Sequence, residues 1–118
     1  MADSGIFMGW TRPATGASHK AMELYKHIDG YFNLLHAEGR IASFDTVLLG
    51  ANGGDLGGFV LIRGDRDKLD ALRSSPQFRD VTVRGSMFLV GFRVLRAHMG
   101  SEVTGLLQAY QRVARELE

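Results

Sequence analysis

The sequence predicts an α+β fold, a four-stranded antiparallel sheet with helices packed on it. Three observations carry this. Apolar runs with strand character alternate with stripes of helical period along the chain. A glycine-rich stretch at 50–58 joins two of the strand-like runs. The strand-like runs are apolar on both of their faces.

Ile6-Phe-Met-Gly-Trp-Thr-Arg12 reads as the first strand, ended by Pro13, which has no N–H to give to a ladder. Ala14 to Ser18 reads as a loop of small residues, with Ser18 as helix N-cap. From His19 to Glu38 the period becomes helical. Ala21, Leu24, Tyr25, Ile28, Tyr31, Phe32 and Leu35 recur at spacings of three and four and form one apolar stripe. Gly39 is the natural stop.

Ile41 to Leu49 and Gly57 to Arg63 read as the second and third strands. Asp65 caps a short helix with Leu69 and Leu72 as its apolar positions, and Ser74-Ser75-Pro76 interrupts it. A second helical piece follows from Gln77 and ends near Ser86, although Val81-Thr-Val83 also alternates like a strand. Val90 to Arg96 is the fourth strand. Gly100 and Ser101 open a last helix, with Ser101 as N-cap and a stripe of Val103, Leu106, Leu107, Tyr110, Val113, Ala114 and Leu117. The order strand, helix, strand, strand, helix, strand is that of ferredoxin-like βαββαβ folds, with an extra C-terminal helix.

The glycine stretch admits two readings. A phosphate loop needs Lys-Ser or Lys-Thr after its glycines and a helix beyond them, and neither is present. Gly54-x-x-Gly57-Gly58 runs instead into Phe59-Val-Leu-Ile62, a strand, so anion cradling would lack its helix. A hairpin fits the context, with Asn52-Gly53 as a turn dipeptide that tolerates positive φ.

The chain has 118 residues, the size of one domain spanning 1–118. Fourteen basic and thirteen acidic side chains give a net charge of +1, which supplies no general attraction to nucleic acid or to an anionic membrane. No apolar run approaches the ~20 residues needed to span a bilayer. The N-terminal residues lack a secretory pattern, so a cytoplasmic location is expected. The absence of cysteine excludes disulfides and thiolate chemistry. His19, His27, His36 and His98 form no metal-ligand spacing, and no nucleophile elbow is present. No metal and no cofactor is therefore expected. The carboxylates at 65, 67 and 70 read as helix capping and dipole complementarity.

Charged residues among the apolar strand positions are the candidate site. Ser43 and Asp45 alternate with Phe44, Thr46 and Leu48; Arg63 is in phase with Phe59 and Leu61; Arg93 is in phase with Leu95; Trp10 and Arg12 share a phase with Ile6 and Met8. A sheet apolar on both faces packs against something on each, so homodimerisation through sheet faces is expected. A buried Asp45 would need Arg63 or Arg93 as partner; the other reading puts these charges at strand ends in water.

The element order, the size and the doubly apolar sheet resemble the dimeric α+β barrel superfamily, which includes cofactor-free monooxygenase-like and stress-responsive proteins. Gly9-Trp10-x-Arg12-Pro13, Gly53-Gly54-Asp55-x-Gly57-Gly58-Phe59 and Arg63-Gly64-Asp65 look like a small bacterial branch of it. The resemblance implies two sheets paired face to face across a homodimer, with a small organic ligand in the barrel or between sheet and helices. It carries no catalytic constellation onto this chain. Three functions follow as expectations. The first is a ligand-binding dimer with a pocket near Trp10, Arg12, Asp45, Arg63, Arg93 and His36. The second is a cofactor-independent monooxygenase or isomerase acting on an aromatic or polyketide-like substrate, with His36 or His98 as base. The third is a purely structural dimer module.

Overall fold

The computed structural model describes residues 3–118. Its elements are β1 (Ser4–Trp10), β2 (Arg12–Pro13), α1 (Ser18–Ala37), β3 (Ser43–Leu48), β4 (Gly58–Gly64), α2 (Arg66–Arg73), α3 (Pro76–Phe88), β5 (Leu89–Val90), β6 (Arg93–His98) and α4 (Ser101–Glu116). The main sheet has the order β3-β4-β1-β6 and every pairing in it is antiparallel. α1 carries the chain from β1 to the far edge strand β3. The α2–α3 pair carries it from β4 across to β6. This is the split arrangement expected from the element order.

One face of the sheet is the core face. Ile6, Met8 and Trp10 of β1 and Val60 and Ile62 of β4 are fully buried there. Ala21, Leu24, Ile28, Phe32 and Leu35 of α1 cover them, joined by Leu69 and Leu72 of α2 and Phe78 and Val81 of α3. Those α1 residues are the ones its helical period selects; Tyr25 and Tyr31 flank the stripe, half-buried. Burial pushes the phenols of both tyrosines above the ordinary value of 10.

The helix ends follow local chemistry, with two departures from expectation. Asp65 accepts a hydrogen bond from the Lys68 N–H at 3.2 Å, and Ser75 accepts one from the Phe78 N–H at 3.3 Å, so α2 and α3 are both side-chain capped. α1 closes on Gly39, whose φ of +73° suits a residue without Cβ. There the Gly39 N–H donates to the His36 carbonyl and the Arg40 N–H to the Leu35 carbonyl, a Schellman closure. Ser18 and Ser101, by contrast, are not caps. They are the first residues of α1 and α4, and the cap positions fall to Ala17 and Gly100 without a side-chain bond. The Ser101 hydroxyl donates instead to Asp3.

The first and fourth strands are each split. The chain bends at Thr11, so Arg12 and Pro13 leave β1 and form a ribbon with Leu89 and Val90. Pro13 does not end pairing: it sits opposite Leu89 in this ribbon, where an edge position asks nothing of its missing N–H. The Gly91-Phe92 turn separates β5 from β6. α3 runs to Phe88, two residues past Ser86, and Val81 faces the core as a helical residue.

The last helix stands apart. None of the α4 residues is buried. Glu102, Leu106 and Ala109 make its partial contacts, beside His98 and Arg66. The radius of gyration is 16.1 Å; a compact chain of this length would have about 13.5 Å.

Candidate functional site

Register converts the open face of the sheet into three rows. Reading β3 to β6, the first is Val47, Phe59, Gly9, Arg93; the second is Asp45, Leu61, Phe7, Leu95; the third is Ser43, Arg63, Gly5, Ala97. Strand alternation puts these side chains opposite the core face. The middle of this face is apolar. Phe7 stacks on Phe59 with ring centroids 5.3 Å apart, and the Phe7 ring lies over the bare backbone of Gly9. The Met99 side chain reaches over Gly5 at one end of this face and Leu56 over Gly9 at the other, while Leu95 stays exposed.

Asp45, Arg63 and Arg93 all lie on this face. Asp45 is directly opposite Leu61 and one diagonal step from Arg63. Asp45 and Arg93 lie on the two opposite edge strands, about 14 Å apart at the usual strand spacing, so they do not meet within one chain. Among the described residues none of the three belongs to an ion pair. The Arg93 guanidinium donates to the Gly91 carbonyl at 2.8 Å.

A second feature lies at the end of the sheet where the β3–β4 hairpin meets the bend after β1. It is a half-open cleft of about 460 Å3. Trp10 and Tyr25, stacked with centroids 5.4 Å apart, line it together with Leu48, Leu49 and Leu56. Thr11, Arg12 and Pro13 form one wall and the hairpin tip the other.

The hairpin tip is built by its side chains. No residue from 50 to 58 has positive φ, so Asn52-Gly53 is not a positive-φ turn. The Asn52 side chain takes that role. Its carbonyl accepts from the Gly54 N–H at 2.8 Å, and its amide donates to the Gly50 carbonyl at 2.9 Å and the Leu56 carbonyl at 3.3 Å. Gly57 is needed for a different reason. Its N–H donates to the Trp10 carbonyl at 2.8 Å, and a Cβ there would collide with the Thr11 carbonyl. Gly58 lies flat against the Trp10 ring, 2.8 Å from where its own Cβ would stand. The glycines thus bring the hairpin onto the tryptophan and shape the cleft.

The six residues singled out from sequence separate into three places. Trp10 and Arg12 line the cleft, Trp10 as a buried wall and Arg12 as an exposed side chain. Asp45, Arg63 and Arg93 occupy the open face. His36 is exposed in the last turn of α1, beside neither. His98 points to the helix side of β6 and meets Glu102 at 3.1 Å. Sequence reasoning passed over Tyr25, Leu49 and Leu56; Tyr25 looked like a core residue of α1, and the two leucines become wall only once the hairpin closes. Among the described residues there is no cluster of three or more metal-type ligands. Among the described residues no helix is long and apolar enough to cross a membrane.

No family model and no curated protein matches the chain. Its structure is similar to that of a dimeric protein of unknown function with a ferredoxin-like fold from Bacteroides fragilis. The match has a TM-score of 0.59, covers 82% of this chain and 97% of that one, and has 7% sequence identity. The chain therefore has a ferredoxin-like α+β fold: the βαββαβ core, with α4 added after it.

Proposed function

We propose that residues 1–118 form one domain that pairs through its open sheet face into a homodimeric α+β barrel and binds a small organic ligand. The observation that carries this reading is the open face itself. Phe7, Val47, Phe59, Leu61, Leu95 and Ala97 form an apolar surface that the described residues leave partly exposed, Leu95 the most. Among the described residues Asp45, Arg63 and Arg93 lie in or beside it without an ion-pair partner, and a second copy turned by a two-fold axis would bring its own Asp45 to one of the two arginines.

α4 supports the same reading. Its own contacts use Glu102, Leu106 and Ala109, one flank of its apolar stripe, and leave Leu107, Tyr110 and Leu117 exposed. The area suffices. The open face spans about 400 Å2 at ordinary strand spacings, and the stripe of a 16-residue helix adds about 240 Å2. Counted on both partners this reaches about 1,300 Å2, within the range of specific dimers. The similar Bacteroides fragilis protein is itself described as dimeric.

The cleft supports the ligand. Its volume is typical of small-molecule pockets, and its walls combine Tyr25 and leucine side chains, backed by Trp10, with the polar side chains of Thr11, Arg12 and Asn52 and the backbone of the hairpin tip. Its lining residues include no histidine, aspartate or glutamate, which favours binding over a reaction that begins with proton abstraction. Light scattering at micromolar concentration tests the assembly: twice the chain mass is expected, and a monomer would defeat the barrel.

A further inference from the structure

The ligand can be given a chemical class. We propose that the cleft takes a small aromatic monoanion, such as an aryl carboxylate, with its ring against Tyr25 and the leucine side chains beside the buried Trp10 and its charge on Arg12; this rests on the ligand-binding reading above.

Most polar side chains at the cleft are already engaged. Thr11 is committed, because its hydroxyl donates to the Asp55 carbonyl at 2.5 Å. The Asn52 side chain is spent on the hairpin tip. Asp55, the acid of the tip, is not among the lining residues. That leaves Arg12, among the described residues, as the one charged side chain on the lining. Among the described residues Arg12 has no carboxylate within ion-pair distance. Its backbone is held in place by pairing with Val90, so the guanidinium is anchored at the mouth of the cleft rather than on a loose loop.

The rest of the lining selects for an apolar body. Leu48, Leu49, Leu56 and the half-exposed Tyr25, which the buried Trp10 backs, offer apolar surface for a planar ring, and Pro13 adds a rigid wall. Burial keeps the Tyr25 phenol protonated well into the alkaline range, so it can donate a hydrogen bond but adds no negative charge to the site. A cation at the mouth and no acid among the described lining residues disfavour a cationic ligand and give an aromatic anion a charge pairing that a neutral analogue lacks. A fork of guanidinium donors matches the two oxygens of a carboxylate.

The test uses 2-naphthoate and its neutral isostere 2-naphthamide on the full chain. Trp10 is the one tryptophan, so its indole N–H gives a single resonance that reports on the cleft. Both probes are expected to shift it, with 2-naphthoate binding about fivefold more tightly at low salt, as for a partly exposed ion pair. Arg12→Gln should erase that preference by weakening 2-naphthoate about fivefold more than it weakens 2-naphthamide, and Arg12→Lys should keep part of it. Equal affinity for the two probes, or a preference that survives Arg12→Gln, overturns the anion assignment alone. If neither probe moves the indole resonance, the ligand-binding reading falls with it.

Discussion

Replacing Leu61 by arginine separates a sheet-paired dimer from a self-sufficient monomer. Leu61 lies at the centre of the open face, between Asp45 on β3 and Phe7 on β1, and is half-buried in the single chain. Covering its remaining exposed half is worth about 1 kcal/mol in each copy. Two-fold symmetry counts the loss twice, about 2 kcal/mol for the dimer. A guanidinium buried in an apolar interface costs at least as much again even with Asp45 beside it, because desolvating both charges offsets their attraction. The sum, about 4 kcal/mol, weakens association roughly 1,000-fold. The single chain should hardly notice. The new side chain stands at a solvent-facing position directly across from Asp45, an arrangement that changes stability by less than about 1 kcal/mol. Sedimentation equilibrium across a hundredfold range of concentration reads the association, and urea unfolding of the monomeric variant reads the fold. A Leu61→Arg protein that keeps the dimer mass at low micromolar concentration refutes the sheet-face interface. A variant that fails to fold would show that this face stabilises the single chain itself.

Phe32→Ala empties a fully buried site on α1 and should cost about 3–5 kcal/mol in urea unfolding, far more than any surface change on the same helix. Gly57→Ala drives a methyl into the Thr11 carbonyl and should destabilise by about 1–3 kcal/mol and weaken binding of aromatic probes; Gly53→Ala, with open space around it, should stay within about 0.5 kcal/mol. Asp65→Ala removes the α2 cap and should lower stability by about 1 kcal/mol, recovered by Asp65→Ser. Because burial raises the folded-state pKa of Tyr25 and Tyr31, the unfolded chain loses those protons first as pH rises, so stability is full below 10 and declines above it. Tyr31→Phe should flatten part of that alkaline decline in pH-dependent denaturation, and an unchanged profile would show that its phenol is not desolvated in the fold.

Much of the fold was legible because its signals are local. The α1 stripe is readable from spacing alone, since residues three and four apart share a helix face whatever lies beyond. Asp65 before Leu69 and Leu72 marks a helix start, and Gly39 marks an end, for the same reason. The doubly apolar strands were also legible, because alternation sorts side chains onto two faces before any partner is known. What misled were signals whose meaning depends on distant contacts. Asn52-Gly53 reads as a positive-φ turn, but a nine-residue connection lets the Asn52 side chain close the tip instead. Pro13 reads as the end of a strand, but pairing with Leu89 gives it an edge position. Ser18 and Ser101 have cap chemistry, yet the chain enters both helices one residue earlier.

The sequence by itself determined the α+β class, the order of the elements and the two apolar faces of the sheet, because periodicity and turn chemistry act over a few residues. Tertiary structure alone decided which charged residues meet. Asp45 and Arg63 become diagonal neighbours, and Asp45 and Arg93 are held on opposite edges, only through a register set by long-range strand pairing. It also decided that Trp10 and Arg12 share a cleft with Tyr25, Leu49 and Leu56. Those residues are far apart in the chain, and they converge only when Gly57 and Gly58 let the hairpin close onto the tryptophan.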